Sequence, residues 1–221
     1  MLKKYQSLFL SVLSGLLIFL SFPKPNLYFL AWISIIPLMT ATDNKKPLVS
    51  FFYGFVAGLT AYACILYWIY PLIVYNTNSN KQAALCLFLL SGYLGLYIGL
   101  WSFLLHIVKN KLSVFRYSLF AASLWVSLEF LRTYIFTGFP WALLGYSQWS
   151  FLPVIQISEY TGVYGVSFLI IWVNAGIFQF LKTKRWVSFY ALLCVFLAAM
   201  VFGYSKLIVN RYSSPPYISV A

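Results

Sequence analysis

The stretch Thr137-Gly-Phe-Pro-Trp-Ala-Leu-Leu-Gly-Tyr-Ser-Gln-Trp-Ser-Phe-Leu-Pro-Val-Ile-Gln-Ile-Ser-Glu-Tyr-Thr-Gly-Val-Tyr-Gly-Val-Ser167 decides how the rest of the chain is read. It is too apolar for an ordinary wet loop and too interrupted for one spanning helix. Gly138, Pro140, Gly145, Pro153, Gly162 and Gly165 break it, because proline lacks a donor and glycine admits positive φ. Broken backbone at membrane depth survives only where protein or a wet cavity satisfies its polar groups. The stretch is therefore a candidate meeting place for a lipid-like ligand and water.

The flanking sequence supplies a membrane frame. Of the 221 residues, 62% are hydrophobic and 8% charged, against roughly 25% charged residues in soluble domains. Apolar runs near ~20 residues mark transmembrane helices. They cover Tyr5 to Phe22, Leu27 to about Thr40, Leu48 to Tyr70, Ala83 to about Val108, about Leu119 to Phe136, Val163 to Leu181 and about Trp186 to Tyr204. The second run is short and needs tilted neighbours or local thinning to cross. Asn76 to Gln82 reads as a polar loop. The expected fold is all-α: a polytopic membrane protein of about seven spans, with a broken segment at 137–162 on the periplasmic side.

Charge sets the expected topology. The net charge is +12, but the fifteen basic residues form no patch, which argues against nucleic acid. With a cytoplasmic N-terminus, ten fall on the inner side (Lys3, Lys4, Lys45, Lys46, Lys109, Lys111, Arg116, Lys182, Lys184, Arg185). Five fall outside (Lys24, Lys81, Arg132, Lys206, Arg211), as the positive-inside rule requires. Seven spans then deliver the C-terminus to the outer side. The start, Met1-Leu-Lys-Lys before an apolar run, lacks a small-residue cleavage site and reads as a retained helix. Residues 1–212 form the expected transmembrane domain. Ser213-Ser-Pro-Pro216 reads as a linker, and Tyr217 to Ala221 alternates as a first strand should.

Chemistry is sparse. Glu129 and Arg132 lie three apart, on one helix face, where they form either a structural ion pair or a donor fork for an anionic head group. Cys64, Cys86 and Cys194 sit in apolar runs, and His106 has no metal-binding neighbour in sequence. No nucleophile paired with a base can be built, and neither metal nor cofactor is expected.

Several motifs nevertheless carry a resemblance. Ser127-Leu-Glu-Phe-Leu-Arg132, Thr137-Gly-Phe-Pro-Trp141, Leu144-Gly-Tyr-Ser-Gln148 and Thr161-Gly-Val-Tyr-Gly-Val-Ser-Phe168 resemble the apolipoprotein N-acyltransferases of bacterial inner membranes. Asn174, Phe19-Leu-Ser-Phe-Pro23 and the Gly54, Gly58, Trp68-Ile69 pattern fit as well. The resemblance implies a nitrilase-like periplasmic domain after the seventh helix, with a Glu–Lys–Cys triad. Its cysteine takes an acyl chain from a phospholipid donor as a thioester. The chain then passes to the α-amino group of a diacylated lipoprotein acceptor. The triad is missing from these 221 residues, which alone are expected to be inactive. By the same resemblance Trp141 and its neighbours Gly138, Phe139, Pro140, Gly145, Tyr146 and Gln148, with Glu129 and Arg132, are candidate substrate contacts. A lipid-binding scaffold without catalysis is the alternative. A small transporter fits less well, because no inverted repeat is evident.

Overall fold

A computed structural model describes residues 2–135, 138–184 and 186–213. Every regular element among them is helical, with no strand. Four helices are long and apolar enough to cross a membrane: α3 (Pro47–Ile65), α5 (Asn80–Val108), α6 (Val114–Tyr134) and α8 (Ser158–Thr183). Three shorter apolar stretches, Tyr5–Ser21, Tyr28–Thr42 and Leu193–Val209, accompany them. The first belongs to α1 (Leu2–Ser21) and the last to α9 (Trp186–Ser213). The middle one is a 3-10 turn at Tyr28–Trp32 followed by α2 (Ile36–Thr42). Phe9, Leu48, Leu85, Phe88 and Leu89 are all exposed on the outside of the bundle, a belt suited to lipid rather than to water. The chain is thus an all-helical polytopic membrane protein. The expected linker and strand at 213–221 lie outside the described residues, apart from Ser213 at the end of α9.

The main seam joins α3 to α5. Gly58 sits directly over Gly95, and a methyl group there would lie 2.7 Å from the Gly95 Cα. Small residues at this contact let two backbones approach, which is how helices gain dispersion energy in lipid. Trp101 on α5 reaches across to α6, its indole donating to the Ala121 carbonyl at 2.8 Å.

Several boundaries differ from those expected: α6 starts at Val114 rather than about Leu119, α9 runs on to Ser213 rather than about Tyr204, and the turn between α3 and α5 is rebuilt. The third run does not continue to Tyr70. Helix α3 stops at Ile65, and α4 (Ile69–Thr77) starts afresh with Pro71 in its first turn, where a missing N–H costs no helical bond. The polar loop at 76–82 shrinks to Asn78 and Ser79. Asn78 takes a left-handed conformation (φ 52°), and the Ser79 hydroxyl accepts from the Gln82 N–H, so the turn is complete in two residues.

One end of the bundle is drawn together by a single acid. Asp43, just after α2, accepts from Lys109 beyond α5 and from Lys182 on α8, the latter at 2.7 and 3.0 Å. Burial alone would raise the Asp43 pKa, but the hydrogen bonds and charges of the two lysines outweigh it and hold the carboxyl below its ordinary value. Farther in, Asn174 of α8 ties down the short second run, Tyr28–Thr42. Its amide oxygen accepts from the Ile35 N–H at 2.9 Å, and its NH2 donates to the Ala31 carbonyl at 2.9 Å and to Ile170 at 2.8 Å.

Candidate functional site

The last two turns of α6 carry Glu129 and Arg132, both buried. Helical spacing aims them at one side, and the chain returns across that side after leaving the membrane helix. They do not pair with each other. Among the described residues the ion pairs are Asp43 with Lys109 and Lys182, and Glu159 with Lys206. Instead each grips the crossing segment. Glu129 Oε1 accepts from the Leu144 N–H at 2.7 Å. Arg132 Nη2 donates to the Trp141 and Ala142 carbonyls, both at 3.3 Å, and Nη1 to the Tyr62 hydroxyl at 2.5 Å. The Phe139 N–H donates back to the Arg132 carbonyl at 3.0 Å. A planar fork is suited to this task because it reaches three acceptors at fixed angles.

The segment is fastened at two further points. The Gly145 N–H donates to Ser167 Oγ of α8 at 2.8 Å, and a methyl at Gly145 would lie 2.5 Å from the Val163 carbonyl oxygen. Gln148, fully buried, donates to the Tyr28 carbonyl at 3.0 Å and accepts from the Trp32 indole at 3.1 Å. A short 3-10 turn (Leu144–Gln148) and α7 (Leu152–Ile155) then lead into α8. The helix proper begins after Gly162, whose φ of 62° and ψ of −169° only glycine adopts readily. Thr137 of the expected broken segment lies outside the described residues. The rest of 138–162 is indeed no single helix.

What the clasp leaves outside is aromatic. Trp141 is 54% exposed although its carbonyl is held by Arg132. Its ring lies 5.6 Å from that of Phe139 and 5.8 Å from that of Trp68. Pro140 and Tyr146 are also exposed, and Gly138 stands at φ 74° where the chain leaves α6. Nearby, the Lys24 ammonium lies 4.2 Å above the Tyr67 ring. The nine candidates therefore divide. Phe139, Pro140, Trp141 and Tyr146 form or border the open face, whereas Glu129, Arg132, Gly145 and Gln148 are buried and fasten it, and Gly138 turns the chain toward it.

Four participants carry no mark as site residues in the sequence. Tyr62, Ser167 and Trp32 look like ordinary helix residues until the crossing segment is placed against them. Ala142 shows no sign of its left-handed φ of 57°, which costs a non-glycine residue of order 1–3 kcal/mol.

A membrane-embedded helical scaffold presenting one rigid, aromatic-faced crossing segment is the class of protein that this fold and site define. The chain belongs to the apolipoprotein N-acyltransferase N-terminal domain family, whose model matches residues 14–176. It is 39% identical to an apolipoprotein N-acyltransferase of Geobacter metallireducens, over 93% of this chain and 41% of that protein. It is 32% identical to apolipoprotein N-acyltransferase 1 of Treponema denticola (80% and 32%) and 29% identical to an apolipoprotein N-acyltransferase of Pasteurella multocida (84% and 36%). The chain thus spans about a third to two fifths of the length of these relatives.

Proposed function

We propose that this chain is the membrane part of a phospholipid:apolipoprotein N-acyltransferase of the bacterial inner membrane. Its role is to hold a diacylated lipoprotein and a phospholipid donor at the boundary where a catalytic domain transfers the acyl chain. Family membership supports the reaction class. The observation that carries the role is the open Phe139–Trp141–Trp68 face, whose backbone is pinned from below by Arg132. Aromatic rings offer large apolar contact, and an indole adds one donor, which suits an acyl chain that ends in a polar head. Pinning the backbone removes the ordering cost of binding.

In this reading the acyl-carrying nucleophile is not among residues 1–221. Cys64 is half-buried, and Cys86 and Cys194 are exposed, on apolar helices of the bundle. The N-terminus faces the cytoplasm, and the Trp141 face opens to the periplasm.

The test uses the chain alone and the chain fused to the unmatched remainder of the Geobacter relative. Given phosphatidylethanolamine and a diacylated lipopeptide, the chain alone should form neither thioester nor triacylated product. The fusion should form both. Trp141→Ala in the fusion should slow transfer by roughly tenfold, about 1.4 kcal/mol, with Trp186→Ala unchanged. Equal losses at Trp141 and Trp186 would leave Trp141 as a membrane anchor and refute the substrate face.

A further inference from the structure

A second apolar feature lies along α8 and α9, away from the Trp141 face. A groove of about 390 Å³ runs between α6, α8 and α9, walled by Val126, Phe168, Leu169, Trp172, Val195 and Ala199. That volume falls within the roughly 300–1,000 Å³ of small-molecule sites. The two hydroxyls along the groove are already spent inside the protein. Tyr164 donates to Thr133 at 3.0 Å and Thr161 to the Ile157 carbonyl at 3.0 Å. The groove therefore offers only dispersion contacts.

Its length and ends are informative. Val195, Ala199, Phe202 and Lys206 follow one another at spacings of four, three and four, so they share one face of α9. Tyr160 at the start of α8 meets Phe202 on that face, with ring centroids 5.8 Å apart. The face ends in the Lys206 ammonium, 3.0 Å from the Glu159 carboxylate. From Thr161 to Trp172, both on the groove wall, α8 rises about 16 Å, close to half of the ~30 Å hydrocarbon core of a bilayer. The groove is thus about as long as one leaflet is deep, and the Glu159–Lys206 ion pair stands beside its Ile157–Thr161 end.

We propose that this groove holds one acyl chain of a zwitterionic phospholipid, whose head group meets both Lys206 and Glu159. A cation beside an anion complements a phosphate beside an ammonium. A lipid with a net negative head group would leave Glu159 facing like charge. The site is independent of the role assigned to Trp141.

Native mass spectrometry of the full chain, extracted from nanodiscs of equal phosphatidylethanolamine and phosphatidylglycerol, tests the proposal. The chain should retain one phospholipid, with phosphatidylethanolamine favoured several-fold. Ala199→Trp or Val195→Trp should fill the groove and lower retention about tenfold, while the exposed control Val201→Trp should not. Lys206→Ala with Glu159→Gln should keep the lipid yet erase the preference between head groups. Circular dichroism and gel filtration confirm that each variant is folded. Equal retention in groove-filled and control variants would mean carried-over annular lipid and overturn the proposal. So would a dimer that Ala199→Trp dissociates, since a second copy would then occupy the groove. Equal retention of both lipids by the unaltered chain would overturn the head-group assignment.

Discussion

Replacing Arg132 by Met keeps the length and apolar stem of the side chain and deletes its fork. Three acceptors then lose their donor: the Tyr62 hydroxyl and the carbonyls of Trp141 and Ala142. A buried polar group left unpaired costs about 1–3 kcal/mol. The Trp141 side of the segment can relax toward water, so the net loss is about 3 kcal/mol rather than the full sum. For a chain of this size each kcal/mol moves the unfolding midpoint by roughly 2–4 °C. The expected fall is therefore about 6–12 °C. Tryptophan fluorescence of the detergent-solubilised chain during heating measures it. Chymotrypsin provides a local readout, because freeing Ala142 from its left-handed conformation exposes the bond after Trp141. Arg132→Lys should fall between, since one ammonium cannot reach three fixed acceptors in a plane. An Arg132→Met chain that melts within about 2 °C of the original (roughly the shift from under 1 kcal/mol) and is cut no faster after Trp141 would refute the clasp.

Other substitutions probe the same logic elsewhere. Ala142→Gly should raise the midpoint by a few degrees, because glycine occupies φ near +57° without strain; a lower midpoint would show that the alanine methyl packs usefully. Asn174→Leu removes the partner of the Ile35 N–H and one of the donors to the Ala31 carbonyl, which keeps the Ser34 hydroxyl, and should cost about 1–3 kcal/mol, read by the same melting curve. Unchanged melting would mean that water or backbone shifts replace both bonds. For Asp43 the folded-state pKa lies below its unfolded value, so its contribution is present above the ordinary carboxylate range and is lost as the pH falls through the folded value. Melting from pH 7 down to pH 3 should therefore show a loss that Asp43→Asn lacks, and parallel curves for the two proteins would rule out the bracket.

The membrane frame is legible in the sequence because it is a matter of run length and charge, and both are local. Val163 is a correct start for the sixth helix for a similar reason: Gly162 sits immediately before it at φ 62°. The end of the third span is not legible in the same way. Nothing between Ile65 and Ile69 announces a break, and Pro71 reads as a terminator when it is tolerated as part of a first turn. Glu129 and Arg132 are recognisable as important because charge in an apolar helix is costly. Their partners are not, since Leu144, Trp141 and Tyr62 become acceptors or donors only once three separate elements meet. Ala142 illustrates the limit most sharply: its strained backbone is imposed by the anchors on either side, and no property of alanine signals it.

The bond from the Ile35 N–H to Asn174 joins residues 139 positions apart. Ribosomes add about 5–20 residues per second, so roughly 7–28 s separate the synthesis of its two ends. For that interval the broken run of Tyr28–Thr42 sits in the membrane with the Ile35 amide awaiting its side-chain partner. Its packing on α1 can form early, as the Ser14 hydroxyl bond to the Ser34 carbonyl shows, but its polar pairing is completed late, by α8. A nascent chain arrested before residue 174 should hold this segment in a different, more water-accessible state than the finished one.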